Sequence, residues 1–154
     1  MFAEIRRKER EMDSQQAKEV LESGSYGILS MCGQNNYGYG VPLNYVVEEN
    51  HIYFHCATEG EKLRSLKENN KVSFCVVQNA EVIAEKFTTN YKSSMAFGKA
   101  SFVSSEEEIR YAMMLLLKKY SPEHMETGEK YINQAITRIQ VIKIDIEHLS
   151  GKFH

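Results

Sequence analysis

The stretch IYFHCATEGEKL, residues 52–63, decides the fold because its hydrophobic period changes along its length. From His51 to Cys56 apolar residues alternate with others, which is the pattern of a half-buried β-strand. From residue 59 to residue 68, the spacing of Leu63 and Leu66 among charged residues predicts a short amphipathic helix. We therefore predict a strand that leads directly into a helix.

Strand patterns recur on both sides of this stretch, and turn residues separate them. The predicted strands cover residues 26–31, 39–47, 51–56, 71–85, 90–103 and 138–149. Helical periodicity predicts further helices at residues 14–22, 105–120 and, more briefly, 132–137. Because the turns are too short for repeated βαβ crossovers, we expect a mainly β fold with peripheral helices. The expected architecture is a six-stranded antiparallel barrel with two to four flanking helices, in one domain over residues 1–154.

The composition excludes several classes of function. The net charge is -2 and the pI is about 6.2, so there is no general basic face for nucleic acid. No stretch approaches the roughly 20 apolar residues that span a membrane, and the N-terminus lacks the apolar core of a signal peptide. The cysteines form no CxxC pair and the histidines have no metal-ligand spacing, so we expect reduced thiols in the cytoplasm and no metal site.

The junction between the predicted strand and helix contains the groups that bind a phosphate. A helix N-terminus offers free backbone N–H groups, and a nearby cation adds charge. Within the segment 57–62, which starts at Ala57, Gly60 lets the backbone approach, Thr58 offers a hydroxyl and Lys62 supplies a positive charge. An ordinary capped surface helix with its lysine in solvent has the same pattern, so the residues alone leave both interpretations open.

Two further residues have both a structural and a functional interpretation. His55 lies on the strand face opposite the apolar residues. Most lone strand histidines bind backbone groups, but this imidazole could also donate protons, contact a cofactor edge or be the attachment point for a modification. One histidine of the chain is also enough to ligate haem. Lys152, which follows Gly151, is either part of a frayed end or a positive charge that compensates a reduced anionic cofactor.

Several motifs together resemble one known family. The segments YGILS (26–30), VPLNY (41–45) and IYFHCATEGEKL (52–63) look like the FMN-binding split barrel related to pyridoxamine 5'-phosphate oxidase. The segments NYKSSMAFGKA (90–100), LLLKKYSP (115–122) and SGK (150–152) are similar to the branch that contains the nitroimidazole-resistance (Nim-type) reductases. The resemblance touches nearly the full length of the chain, from residue 6 to the end.

The resemblance implies a Greek-key split barrel that forms a homodimer, with FMN held at the subunit interface. Gly60 and Lys62 match the positions that hold the FMN phosphate. His55 matches a strand histidine that lies beside the flavin and is tied to function. The remaining matched cofactor contacts are Pro42, Leu43 and Asn44, on the strand that faces the isoalloxazine ring, and Ser94, on a later strand.

The activity implied by the resemblance is reduction of a small-molecule acceptor. Hydride from reduced FMN would pass to a nitroaromatic, 5-nitroimidazole-like or other electron-poor compound, with His55 as the catalytic proton donor. The string Gly60-Glu61-Lys62 replaces a Ser-Arg-Lys-like string of the oxidase proper, which argues against oxidation of pyridoxamine phosphate. A flavin carrier or sensor, and a haem-handling split barrel, are the alternative functions.

Overall fold

A computed structural model of the protein describes residues 1–154 and is mainly β, with four α-helices. The strands are β1 (Gly27–Cys32), β2 (Gly38–Leu43), β3 (Val46–Glu48), β4 (His51–Cys56), β5 (Lys71–Ile83), β6 (Thr88–Val103) and β7 (Gln140–Phe153). The helices are α1 (Ser14–Ser23), α2 (Glu61–Glu68), α3 (Glu106–Tyr120) and α4 (Met125–Ala135). None of these helices is both long and apolar enough to cross a membrane.

The seven strands form one antiparallel sheet in the order β2-β1-β5-β6-β7-β4-β3. Its two edge strands, β2 and β3, follow each other in the chain with only Asn44 and Tyr45 between them. A link of this length spans at most about 11 Å, so the sheet must curl until its edges are close together. No strand pairing joins β2 to β3, and the sheet stays open at this point.

The sheet has seven strands instead of the predicted six because the predicted strand 39–47 is divided. Tyr45 is fully buried, with its ring 4.8 Å from the ring of Phe74. Its backbone binds side chains instead of a neighbouring strand: the N–H donates to the Tyr120 hydroxyl at 3.0 Å, and the carbonyl accepts from Lys119 Nζ at 2.9 Å. The prediction of a closed six-stranded barrel is thus replaced by an open, curled sheet, and the Greek-key connectivity stays a prediction.

Two elements near the C-terminus are longer than predicted. Helix α4 begins at Met125, and Gly128 lies inside it against the Leu117 side chain, where a Cβ would collide. The sequence analysis predicted a helix only over 132–137, whereas α4 runs from Met125 to Ala135. Although glycine disfavours helix interiors, Gly128 lets Leu117 of α3 pack closely on α4. Strand β7 continues to Phe153, with Lys152 paired to Ser93, so Lys152 does not belong to a frayed end.

The two faces of the sheet carry separate apolar clusters. The inner face of the curl holds the larger cluster, which contains Ile52 and Phe54 of β4 together with residues of α1 and α2. On the outer face, Tyr53 and Val141 pack against α3 and α4 in the second cluster. The alternation predicted for residues 51–56 is therefore confirmed, and it leaves His55 on the outer face, next to the two long helices.

Candidate functional site

A cavity of about 420 Å³ lies between the end of β4, the link after β2, and the helices α3 and α4. We call it the β4–α3–α4 cavity. It is lined by Asn44 and His55, two residues that the sequence analysis selected. The opposite wall, which the sequence analysis missed, includes Leu116, Leu117, Tyr120, His124, Thr127 and Tyr131. His124, Thr127 and Tyr131 were missed because the predicted helix began only at residue 132, and without α4 the predicted helix 105–120 had no partner to form a cavity with.

The pKa of His55, which lies at the edge of this cavity, is lowered. His55 stands near the end of β4, opposite Val141 of β7, where the residue is exposed and its side chain forms no hydrogen bond within the chain. Desolvation by the surrounding atoms, together with the positive charge of Lys62, lowers the pKa of His55 below its ordinary value of 6.5. A neutral imidazole carries one N–H donor and one acceptor nitrogen. His55 is therefore poised near neutral pH to form one hydrogen bond of each kind.

The start of α2 has open backbone donors and a nearby cation. Gly60 precedes the helix with φ of 134°, a conformation that favours glycine, and no side chain caps the first turn. A Cβ on Gly60 would meet nothing within 4 Å, so the backbone can be approached. Lys62 is half-buried, with Nζ 5.9 Å from the centre of the Phe54 ring, and Ala57 and Thr58 are exposed before it. These groups fit an anionic group of phosphate size.

The segment from Pro42 to Asn44 reaches the same cavity from the edge of the sheet. Pro42 is exposed on the outer face and lies opposite Ile28 of β1. Leu43 is half-buried and packs against the inner cluster. The Asn44 amide donates to the Ser25 carbonyl at 3.1 Å, which fixes the side chain while its own oxygen stays available.

Two of the selected residues lie elsewhere in the chain. Ser94 is 1% exposed beneath α1, and its hydroxyl has no hydrogen-bond partner. Lys152 lies eleven residues after Val141 on β7, roughly 36 Å along the strand from the position opposite His55. Within one chain, the structure therefore brings together Asn44, His55 and the start of α2, but not Ser94 or Lys152.

The largest cavity is a groove of about 770 Å³ on the outer face of β1, β5 and β6. None of the selected residues lines it. Phe2 lies at its border and stacks on His148, with the ring centres 5.0 Å apart. Because the β4–α3–α4 cavity contains the convergent polar groups, it is the candidate functional site, whereas the groove is part of an uncovered sheet face.

A family model described as Pyridoxamine 5'-phosphate oxidase matches residues 13–153. No curated protein sequence matches the chain. Among solved structures, the protein resembles a candidate 5-nitroimidazole antibiotic resistance protein from Bacteroides thetaiotaomicron, with a TM-score of 0.81 and 22% identity over 93% of this chain and 86% of that one.

Two other structural neighbours have similar scores. A flavocytochrome from Azotobacter vinelandii has a TM-score of 0.83 and 19% identity, over 98% of this chain and 72% of that one. An FAD- and haem-binding protein from Mycobacterium smegmatis has a TM-score of 0.80 and 13% identity, over 94% of this chain and 73% of that one. At these identities the likeness shows a shared fold.

Proposed function

The chain belongs to the pyridoxamine 5'-phosphate oxidase family, and from this membership we propose that it is an FMN-binding flavoprotein that reduces a small electron-poor acceptor. The proposal is supported by structural neighbours that are named for flavin and for nitroimidazole resistance. The observation that carries it is the juxtaposition of the uncapped start of α2, Lys62 and the cavity lined by Asn44 and His55.

The proposed position of the cofactor follows from the charges. The phosphate would bind the backbone N–H groups after Gly60, with Lys62 as its cation and Thr58 as a hydroxyl donor. Arg64 is a weaker candidate because it is exposed and already forms an ion pair with Glu61 at 3.2 Å. The ring would then lie toward Asn44, along the edge strand that contains Pro42 and Leu43. A single anion-binding site at the start of α2 suits the one phosphate of FMN better than the pyrophosphate of FAD.

The bound flavin would supply the hydride for the reduction. The chain's residues would do the rest: the apolar side chains of α3 and α4 would line one side of the ligand, and the Asn44 amide would orient a polar group of it. His55 would hold or deliver a proton at its imidazole nitrogen. Since the pKa of His55 is lowered, the proton-donating form becomes abundant only in mildly acidic solution.

We further propose that the working form is a homodimer that completes the flavin site. A row of apolar residues crosses the outer face where no helix covers it: Pro42, Ile28, Cys75 and Met95 are consecutive partners on β2, β1, β5 and β6. A second copy on this face would shield the row and adjoin Asn44. A symmetric interface also brings together residues that are distant within one chain, which is how Lys152 would reach a flavin.

The test compares two neighbouring cations. Lys62→Ala should weaken FMN binding by about 10- to 100-fold, because a charge-assisted contact is lost. Arg64→Ala, on the same helix, should change it much less. Cofactor content is measured from the visible absorbance of the purified protein, and mass spectrometry of the released cofactor distinguishes FMN from FAD. Full flavin occupancy in Lys62→Ala would overturn the phosphate assignment.

A haem-handling function is the second candidate. The neighbours named as a flavocytochrome and as an FAD- and haem-binding protein favour it, as do two imidazoles, His55 and His124, on one cavity. One histidine is enough to ligate haem iron. A visible spectrum separates the candidates, because haem gives an intense Soret band and flavin does not.

A flavin carrier without a committed substrate would instead show slow reoxidation that is independent of the acceptor.

A further inference from the structure

The side chain of Tyr120 joins three segments of the chain at the edge of the β4–α3–α4 cavity. Tyr120 is the last residue of α3 and lines this cavity. Its hydroxyl oxygen accepts from the Tyr45 N–H at 3.0 Å and lies 2.9 Å from the Ser25 carbonyl oxygen. Ser25 belongs to the connection between α1 and β1, and Tyr45 belongs to the link between β2 and β3. One hydroxyl therefore ties α3 to both of these connections.

The Ser25 carbonyl is the best acceptor for the proton of this hydroxyl. The Tyr45 carbonyl, at 3.0 Å from the hydroxyl, already accepts from Lys119 Nζ at 2.9 Å. The Ser25 carbonyl also accepts from the Asn44 side-chain amide at 3.1 Å. Because a carbonyl oxygen has two lone pairs, it can accept from Tyr120 and Asn44 together. The Asn44 side chain is thus bonded to the same carbonyl that Tyr120 holds.

This network fixes which end of the Asn44 amide is free. The amide nitrogen is directed at the Ser25 carbonyl. If the amide were turned over, its oxygen would face the carbonyl oxygen with no proton between them. The side-chain oxygen is left as the free polar atom of Asn44, which lines the cavity. Asn44 therefore presents a hydrogen-bond acceptor to a ligand.

Asn44 needs such restraint because it is exposed and lies next to the gap where β2 and β3 do not pair. The following residue, Tyr45, is held from inside by its buried ring and by its hydroxyl, which donates to the Leu21 carbonyl. Tyr120 holds the same link from the side of the cavity. A side chain that is fixed before a ligand binds loses less conformational entropy on binding.

We propose that Tyr120 is a positioning residue of the site, because its hydroxyl holds Asn44 so that the side-chain oxygen can accept from an N–H group of the bound ligand. The inference rests on the proposed flavin function, since the isoalloxazine ring carries such an N–H group. Tyr120 acts through Asn44, and its own hydroxyl is occupied by backbone groups.

A double-mutant cycle tests whether Tyr120 acts through Asn44. FMN binding to the flavin-free protein is measured by quenching of flavin fluorescence in the wild type, Asn44→Ala, Tyr120→Phe and the double variant. Each single substitution should weaken binding by about 3- to 10-fold, because one hydrogen bond is lost or misplaced. The double variant should bind FMN no more weakly than Asn44→Ala does. Additive losses, or an unchanged affinity in either single variant, would overturn the proposal.

Tyr111→Phe is the control for a general effect on α3. Its hydroxyl binds Glu48, and neither residue lines the cavity. This substitution should leave the FMN affinity unchanged. A loss as large as that of Tyr120→Phe would assign the effect to a weakened helix and overturn the positioning role.

NMR relaxation of the Asn44 side-chain amide in the flavin-free protein separates this inference from the proposed function. The amide should be ordered in the wild type, with an order parameter of about 0.85, and Tyr120→Phe should lower it below about 0.6. A mobile Asn44 side chain in the wild type would overturn the positioning role, whether or not the variant folds. If Tyr120→Phe releases the amide but the wild type binds no flavin, the ordering of Asn44 by Tyr120 stands and the flavin function fails.

Discussion

At the scale of single residues, Lys62 adds to the desolvation that changes the chemistry of His55. The two residues belong to different elements, the start of α2 and the end of β4, but the charge of Lys62 lowers the pKa of His55. A cation that can hold a phosphate thus also keeps the imidazole neutral. Binding of a phosphate dianion to Lys62 would cancel that charge and make His55 easier to protonate.

We predict that His55 titrates below 6.5 in the folded protein and that Lys62→Met moves its pKa upward. Desolvation by neighbouring atoms is the larger cause and is retained in this variant, so the return toward 6.5 should be partial. The measurement is an NMR titration of the imidazole resonances. Arg64→Met is the control, since Arg64 has no part in the shift. A His55 pKa above 6.5 in the wild-type protein would contradict the prediction.

The same shift gives a pH dependence of stability with a definite sign. The unfolded chain binds the His55 proton more tightly than the folded chain does, so acidification below about pH 6.5 favours unfolding. The contribution of neutral His55 to the free energy of unfolding is complete above that pH. It declines as the pH falls toward the pKa that His55 has in the folded protein. Urea unfolding at several pH values should show a shallower acid slope in His55→Asn than in the wild-type protein.

Local sequence explains some site residues better than others. Gly60 and Lys62 could be selected because a strand-to-helix junction has a fixed geometry. The positions of Ser94 and Lys152 could not be predicted from local sequence. The burial of Ser94 depends on the packing of α1 against β6, and the position of Lys152 depends on the pairing of β7 with β6. The wall with His124 and Tyr131 was missed because only the packing against Leu117 explains a glycine inside α4.

At the scale of elements, the open seam between β2 and β3 is held by the end of α3. The Tyr120 hydroxyl accepts from the Tyr45 N–H, and it lies 2.9 Å from the Ser25 carbonyl and 3.0 Å from the Tyr45 carbonyl, either of which can accept its proton. Lys119 binds the Tyr45 carbonyl in a setting that lowers its own pKa to about 8 by burial. These side chains replace the strand pairing that is missing there.

We predict that Tyr120→Phe destabilises the protein by about 1–2 kcal/mol, because the part-buried Tyr45 N–H loses its acceptor. Urea unfolding measures the loss, and faster amide exchange at Tyr45 would locate it. The matched control is Tyr111→Phe, whose hydroxyl binds Glu48 at an exposed position. It should change the stability by less than about 0.5 kcal/mol. Equal effects of the two substitutions would contradict the assigned role of Tyr120.

We also predict that Gly98→Ala is poorly tolerated. A Cβ there would collide with the Asp145 carbonyl, where the pairing of β6 with β7 shifts register. Because backbone must move, we expect a loss of about 1–3 kcal/mol. Gly38→Ala is the control, since a Cβ there meets nothing within 4 Å. Thermal unfolding that leaves Gly98→Ala as stable as Gly38→Ala would show that the sheet can relax.

The element boundaries show what a one-dimensional pattern can and cannot reveal. The helix after Asp13 and the strand 51–56 were predicted correctly because their caps and alternation are local. The division of 39–47 was not predicted, because its alternate residues all reach the inner cluster: Val41, Leu43, Tyr45 and Val47. The alternation of apolar residues continues across the gap between β2 and β3. Only the hydrogen bond from the Tyr45 N–H to the hydroxyl of Tyr120, 75 positions away, shows that strand pairing has stopped there.

At the scale of the whole molecule, the outer face carries a row of apolar residues that no helix of the chain covers. Ile28 lies in the middle of the row on β2, β1, β5 and β6 and is 36% exposed. We predict that Ile28→Asp converts a dimer to monomers and lowers flavin content, because a carboxylate would be buried at the interface.

Sedimentation velocity measures the change in mass, and visible absorbance measures the flavin. Gln134→Asp, which adds the same charge to an exposed position on α4, should leave both unchanged. If Ile28→Asp remains dimeric, the interface lies on another face. If it becomes monomeric but retains its flavin, one chain is sufficient to hold the cofactor.

The two-residue link between the edge strands also bears on the kinetics of folding. It joins the hairpin β1–β2, which docks on β5, to the hairpin β3–β4, which docks on β7 at the other side of the central strands. When one hairpin docks, the link holds the second close to its own docking edge, so most of the loop-closure entropy of the second step has already been lost. Long-range pairing makes the first docking slow, and the second should follow rapidly, so a half-wrapped sheet does not accumulate.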